Sequence, residues 1–444
     1  MQAATILERP WRAPEAVLSA FADDPWTCAF LSGGAGENAR WSYLLREPET
    51  VLTVTPDDAR DPFEALRELL GPPVPTNPDG PPFQGGLAGL AAYELGDRVE
   101  HLGLGRHPDW ADLSVGRFPA LLAFDHETRR VLAVGQTPGQ AQAAATWLDA
   151  PERPAATGRL SAELDPPTAA EAYETAVADV IARIHAGEYF QANIARLWTG
   201  RLAESTRPFD LMSRLIADSA APFAAYLRLP ERALVSNSPE RFLSVGAGRE
   251  LTVETRPIKG TRPRGATPQQ DRALAAELAA SDKDRAENLM IVDLMRNDLS
   301  RVCTPGAVAT PELFRVESFA NVHHLVSTVR GVLAPGMTAA DLLEAAFPPG
   351  SVTGAPKVQA MKSIARLEPP RGPYCGALFW AGFDGAFDSS VLIRTVALAE
   401  DDGGWRFEAR AGAGIVADSD PRAERLETEA KFAALLRALT ETAR

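Results

Sequence analysis

Short apolar runs cut by proline and glycine are what most limits the folds open to this chain. Through roughly the first 150 residues they recur, as at 51–54 and 118–124. Runs this short, bounded by breakers, read as strands. Helical spacing appears in that region at 62–70 and 138–149. Further strands are predicted at 223–229, 233–236, 241–245, 251–255, 376–383, 390–399 and 405–410. Helices are predicted at 169–187, 270–280, 282–298, 338–346, 356–366 and 420–442. In the first of these, Tyr173, Val177, Val180, Ile181 and Ile184 form an apolar stripe, and Gly187 suits the C-cap. Two polar, proline-rich stretches lie at 71–82 and 151–168. The second, with Pro151, Pro154, Pro166 and Pro167, is the expected boundary between a β-rich N-terminal subdomain, 1–155, and a larger domain, 165–440. No internal repeat or low-complexity tract is visible.

Charge and cysteine usage remove whole classes of function. With 59 acidic against 45 basic residues, the net charge of −14 argues against a generic nucleic-acid or anionic-membrane surface. A small anionic substrate would need locally placed cations or a metal. Three cysteines, Cys28, Cys303 and Cys375, have no CxxC spacing. They point to a reducing compartment without a disulfide framework or zinc site. No secretory signal pattern opens the chain, and no run approaches 18 apolar residues, so a soluble cytoplasmic protein is expected.

The chain has 40 arginines but only five lysines: Lys259, Lys283, Lys357, Lys362 and Lys431. An ammonium can lose its proton and serve as nucleophile or base, whereas a guanidinium effectively cannot. Lys259, in Pro257–Thr261, is therefore the first candidate for chemistry; residual composition is the plainer explanation for Lys362.

Ser281 is a good N-cap for the helix that follows, with Asp284 at its third position. Glu287 comes three residues later, on the same face as Asp284. Glu424, Glu427 and Lys431 repeat the pattern near the C-terminus. Two such helices offer an oxygen cage for a hard cation, and Mg²⁺ fits best because it takes one or two carboxylates plus water and substrate oxygens. Solvated helix faces remain the plainer reading of either pair alone. Gly350–Lys357 runs into a helix and Ala411–Ile415 follows a strand; both expose backbone N–H groups to an anion, and both also read as simple turns. Neither is a Walker A motif. His323 and His324 point to opposite sides if extended, and a structural histidine is the default for each. Glu240 precedes an apolar strand and equally suits a turn.

Together, Glu188–Ile194, Ser238–Phe242, Thr255–Thr261, Lys283–Asp298, His323–Ser327, Gly350–Lys357, Tyr374–Ala377, Ile393–Thr395, Gly412–Ser419 and Glu424–Lys431 make the chain resemble the chorismate-utilising enzymes. That family includes component I of anthranilate synthase and of aminodeoxychorismate synthase, with isochorismate and salicylate synthases as cousins. The resemblance is dense over about 170–437 and weak before it. It implies an α+β fold: a large, mostly antiparallel β-sandwich core with helices packed on the outside.

Within the family, anthranilate-forming enzymes carry Ala where this chain has Lys259, and the isochorismate and salicylate enzymes place a lysine base where it has Gln191. Both positions resemble the branch that aminates C4. The resemblance then implies the following roles. Glu287 and Glu427, supported by Asp284 and Glu424, would hold Mg²⁺ against one carboxylate of chorismate. Arg394, Tyr374, Lys431 and the Gly412, Ala413 and Gly414 amides would hold the other, with Thr353 and Gly354 lining the site. Lys259 would attack C2, Glu240 would protonate the departing C4 oxygen, and His324 resembles the family's active-site histidine. No glutaminase triad or lyase segment is evident, so a glutamine amidotransferase partner and a separate aminodeoxychorismate lyase are expected. Two other readings stay open: anthranilate synthase component I, and a non-catalytic chorismate-binding homologue. Three departures from the family pattern stand out. The run 30–36 lacks the LeuGluSer element of tryptophan-inhibited relatives, and Trp380 and Glu94 are expected to be structural.

Overall fold

The computed structural model describes residues 3–33, 39–246, 248, 250–319 and 322–442. Within the motif runs, residues 34–36 and Asn321 lie outside the described residues.

The strand Phe223–Leu229 explains why so many apolar runs are nearly continuous. Ala225 and Leu227 face one hydrophobic cluster while Ala224 and Tyr226 face another, so both sides are buried. The described strands pair antiparallel in two sheets, one of 12 strands and one of 10. Between them, Leu121, Val134, Leu227 and Leu234 of the larger sheet pack with Ala88, Leu90, Leu378 and Trp380 of the smaller. Trp380 stacks on Phe83 at 4.6 Å there, which is the structural role expected for it.

Helices cover the outer faces. The larger sheet is packed by Pro208–Ser219 and Pro421–Thr440, through Phe209, Met212, Phe432 and Leu435. The smaller is packed by Pro62–Leu70, Asp282–Ser300 and Ala339–Ala346, through Phe63, Leu66, Ile291, Met295 and Leu342. This is the α+β sandwich with outer helices that the sequence led us to expect. Strands from either side of the proline-rich stretch 151–168 join the same two sheets. Among the described residues no helix is long and apolar enough to cross a membrane, and all three cysteines are free and buried.

The structure departs from the sequence reading at several strands, of which Ile258–Pro263, Ala309–Ser318 and Val322–Val332 were not anticipated. The run 390–399 is two strands: Phe387–Val391 in the smaller sheet and Thr395–Asp401 in the larger. The chain crosses between sheets at Arg394, whose φ is +52°. The run expected to stop at 410 continues as Gly404–Ile415, so the glycines at 412 and 414 lie in a strand and not a turn. The 12-residue strand Gln191–Leu202 was not anticipated, because its first six residues are all buried and show no alternation.

Phe432 anchors the C-terminal helix by stacking on Trp198 of that strand, with ring centroids 4.2 Å apart and planes 16° from parallel. Thr428, Leu435 and Leu439 are buried along with it. Phe432→Ala should cost about 3–5 kcal/mol. The check is the urea midpoint; a loss below about 1 kcal/mol would mean that the helix is held by other contacts.

Candidate active site

The strand Gln191–Leu202 is gripped at its start on both sides. Gln191 and Ala192 pair with Ala355 and Gly354, while Asn193 and Ala195 pair with Gly414 and Gly412. Gln191 and Asn193, two apart, project to the same side. The glycines make room for what gathers there. A Cβ on Gly414 would stand 3.0 Å from the Lys259 Nζ and 3.2 Å from the Gln191 amide. One on Gly412 would meet the Asn193 Oδ1 at 2.6 Å and the Tyr374 Oη at 2.7 Å. At Gly354, φ is +140° and a Cβ would lie 2.2 Å from the Gln191 carbonyl oxygen. Ala413, between them, is buried in an apolar cluster with Val177 and Ile194, so its side chain faces away.

Lys259 reaches this point from the other sheet. It sits in Ile258–Pro263, where the register against Val322–Val332 shifts between Ile258 and Thr261. Such irregularities re-aim side chains. Its Nζ donates to the Gln191 Oε1 at 3.2 Å and so bridges the two sheets. Burial lowers the Lys259 pKa; Glu287, Glu240 and Glu427 oppose the shift and Lys431 adds to it.

Asn288 ties the helix Asp282–Ser300 to this strand, donating to the Pro257 carbonyl at 3.4 Å. Glu287 is thereby held near Lys259. Burial raises the pKa of Glu287, and the carboxylates of Asp284 and Glu427 push the same way, while Lys259 and Lys283 oppose. Glu424 is likewise raised by burial and by Glu427, against a 2.6 Å hydrogen bond from Ser419. The sequence-predicted metal residues on two helices are thus close enough to repel one another. Among the described residues no three His, Cys, Asp or Glu side chains converge as a ready-made cage. Instead, Glu427 pairs with Lys431 at 2.6 Å and Asp284 with Arg262 at 3.2 Å. An all-carboxylate, half-buried and self-repelling donor set fits a hard divalent cation, which would relieve the repulsion.

Glu240 is 8% exposed at the point where the chain passes from Arg232–Ser238 to Arg241–Val245 and changes sheet. Burial raises its pKa, offset by a 2.7 Å hydrogen bond from Ser351 and by the charges of Lys259 and Lys431. His324 accepts or donates at 2.9 Å with the Thr261 hydroxyl and packs on Phe319. Burial lowers its pKa, a Gly260 backbone contact opposes, and Arg394 lowers it further. His323 is the structural one: it is 1% exposed, bonded to Ser318 at 2.8 Å and to Asp271 at 3.0 Å.

The remaining sequence-predicted residues divide by whether their polar groups are already used. Thr353 donates to the Pro349 carbonyl at 2.8 Å, so its hydroxyl is occupied within its own turn. Lys431 donates to the Gly412 carbonyl at 2.9 Å. The Arg394 guanidinium has no hydrogen-bond or ion-pair partner among the described residues; burial lowers its pKa, and Tyr374 and Glu427 oppose. The Gln191 Nε2 and the Asn193 Oδ1 are buried without partners. An unpartnered guanidinium and two orphaned buried amide atoms are polar groups left available to a ligand. Sequence reasoning missed Asn193 and Ser351. Alternation from Gln191 along an extended strand would have found Asn193; nothing in the sequence singled out Ser351.

Comparison with known proteins places the chain among relatives of one family. The family of chorismate binding enzymes matches residues 27–437. The chain is 40% identical to aminodeoxychorismate synthase component 1 of Klebsiella aerogenes, across 99% of this chain and 100% of that one. It is 38% identical to anthranilate synthase component 1 of Thermus thermophilus, across 91% and 88%. Among solved structures, anthranilate synthase component I from Streptococcus pneumoniae superposes with a TM-score of 0.78 at 27% identity, covering 90% of this chain and 93% of that one. The motifs, the sandwich and these matches converge, and the chain belongs to the chorismate binding enzyme family.

Proposed function

We propose that this protein aminates chorismate at C4, giving 4-amino-4-deoxychorismate. The observation that supports this most is the 3.2 Å contact between Lys259 and Gln191. It supports a reading in which the lysine attacks the ring and a non-basic amide stands where the water-adding relatives need a base. In this reading the Lys259 amine forms a bond to C2, both conjugated ring double bonds shift, and the C4–O bond breaks. Glu240, whose pKa burial raises, gives its proton to that oxygen, which leaves as water. Ammonia then bonds to C4, both double bonds shift back, and the C2–N bond to Lys259 breaks, restoring the amine. Ammonia loses one proton, and Glu240 takes one back.

Lys259 must be neutral to attack, and the lowering of its pKa by burial favours that form. Arg394, Tyr374 and Lys431 bind one ring-side carboxylate, the arginine through its two-pronged fork. His324 lines the same space. Glu287 and Glu427, with Asp284 and Glu424 beside them, are the residues that would hold Mg²⁺, which when bound offsets the charge of the other carboxylate and orients the ring. Ammonia comes from a glutamine amidotransferase partner, in keeping with the relatives named component 1, and a separate lyase consumes the product.

Relatives named anthranilate synthase component 1 keep a second reading in play. Incubation with chorismate, Mg²⁺ and an ammonium salt separates the two. Formation of p-aminobenzoate only after an aminodeoxychorismate lyase is added is the expected result; fluorescent anthranilate without lyase would overturn the assignment. Lys259→Ala should lower kcat/KM by at least about 100-fold and abolish any protein–substrate adduct seen by intact mass. Retention of aminodeoxychorismate formation in that variant excludes the covalent role. Chelation should stop turnover. Glu287→Gln should raise the Mg²⁺ concentration for half-maximal rate by about tenfold or more, and an unchanged requirement would move the metal elsewhere.

A further inference from the structure

The turn Gly350–Val352 is more tightly fixed than lining a site requires. A Cβ on Gly350 would stand 2.4 Å from Leu294 and 2.8 Å from Met295, so the turn is pressed against the helix Asp282–Ser300. The Val352 carbonyl accepts from Arg371 at 3.3 Å, and the Thr353 carbonyl accepts from the Asn193 N–H at 2.9 Å. Beyond the turn, Lys357 is 8% exposed and donates to Asp298 at 2.9 Å and to the Ala346 carbonyl at 2.6 Å. These contacts leave Ser351 little freedom, and its hydroxyl donates to the Oε1 of Glu240 at 2.7 Å.

We propose that Ser351 is the positioning residue for the Glu240 general acid, holding Oε1 as an acceptor so that the transferable proton rides on Oε2. A protonated carboxyl has one O–H donor and one carbonyl acceptor. A donor fixed on Oε1 therefore selects which oxygen is the hydroxyl and sets the plane in which it points. The proposal rests on Glu240 acting as the acid. The charged groups that face Glu240 are Lys259 and Lys431, and Ser351 adds a neutral donor that favours the ionised form.

The sign of the effect follows. Glu240 must be protonated to act, so activity is lost as pH rises through its pKa. Removing the Ser351 donor removes an influence that lowers that pKa, so the alkaline limb moves to higher pH. The test is the pH dependence of kcat and kcat/KM for chorismate at constant free ammonia, with wild type, Ser351→Ala, Ser351→Thr and Glu240→Gln. In Ser351→Ala the alkaline limb should rise by about one pH unit. Its kcat should fall about tenfold, with KM within about twofold, as expected for an effect on proton transfer and not on binding. Ser351→Thr, which keeps the hydroxyl, should retain the wild-type limb, and it carries the test if the alanine variant is poorly folded. An unmoved limb in Ser351→Ala, or a shifted one in Ser351→Thr, overturns the proposal. If Glu240→Gln keeps the limb, the acid is a different group and the underlying reading fails; a limb lost there but unmoved in Ser351→Ala sinks only the role of Ser351.

Discussion

The site depends on a buried ion pair that stands where a strand would otherwise be. On one side of Gln191–Leu202 two short strands pair only its ends, Gly354–Ala355 at the start and Ser161–Leu164 at the finish. Between them, side chains close the first part of the edge. Glu368 accepts from the Ala195 N–H at 2.7 Å, and Arg371 donates to the Asn193 carbonyl at 2.7 Å. The two side chains are 4% and 1% exposed and bond each other at 3.0 Å. Arg410 adds a second positive charge 3.6 Å from Glu368. Buried main-chain groups must be paired, and a bare edge must be covered. This network does both with charged groups. Removing one member would strand the other charge in the interior, at about 3–5 kcal/mol. Glu94, as its departure from the family pattern suggested, is structural: it accepts from the Arg371 and Gly372 N–H groups at 2.6 and 2.9 Å. The segment that leads to Tyr374 is fixed by the same contacts.

A sandwich of two sheets would ordinarily offer no opening between them, since its interior is filled. Here the candidate site residues gather where the chain changes sheets. Glu240 and Arg394 occupy two such crossings, and they are neighbours: the Val391 N–H bonds to the Glu240 carbonyl at 3.1 Å, and the Asn237 N–H to the Arg394 carbonyl at 3.1 Å. Lys259 enters from a register irregularity on one sheet and touches Gln191 on the other. Residues at crossings are released from the ladder, so their side chains can turn inward without leaving strand groups unpaired. Acid, lysine and arginine therefore converge because the topology brings several crossings together.

Much of this was legible in the sequence, for reasons that differ by element. The helices at 282–298 and 420–442 were readable because caps and apolar spacing are local. The strand at 223–229 was readable as an apolar run, although its burial on both faces was not. Gln191–Leu202 escaped because a strand covered on both sides loses alternation, and Ile258–Pro263 because an edge strand around a shifted register is short and polar. The scarcity of lysine drew attention to Lys259, but not to its contact with Gln191, which joins positions 68 apart on different sheets. The acidic pairs on the two helices could be seen as faces. Their mutual repulsion became visible only once the helices were placed side by side. Ser351 is one small polar residue in a turn, and only its 2.7 Å approach to Glu240 distinguishes it.

The same placement explains why lysine and not arginine stands at 259. Burial disfavours a charged amine, while Glu287, Glu240 and Glu427 favour it and Lys431 again opposes it. An ammonium between such influences can give up its proton when the balance tips; a guanidinium would stay charged through any of them. The balance is movable, because the carboxylates themselves are poised. Glu287 and Glu424 are pushed toward their neutral forms by burial and, in both cases, by the Glu427 carboxylate. Of the residues that would hold a divalent cation, Glu287 and Glu427 are the two that act on Lys259, and a cation held there would weaken their opposition to its deprotonation.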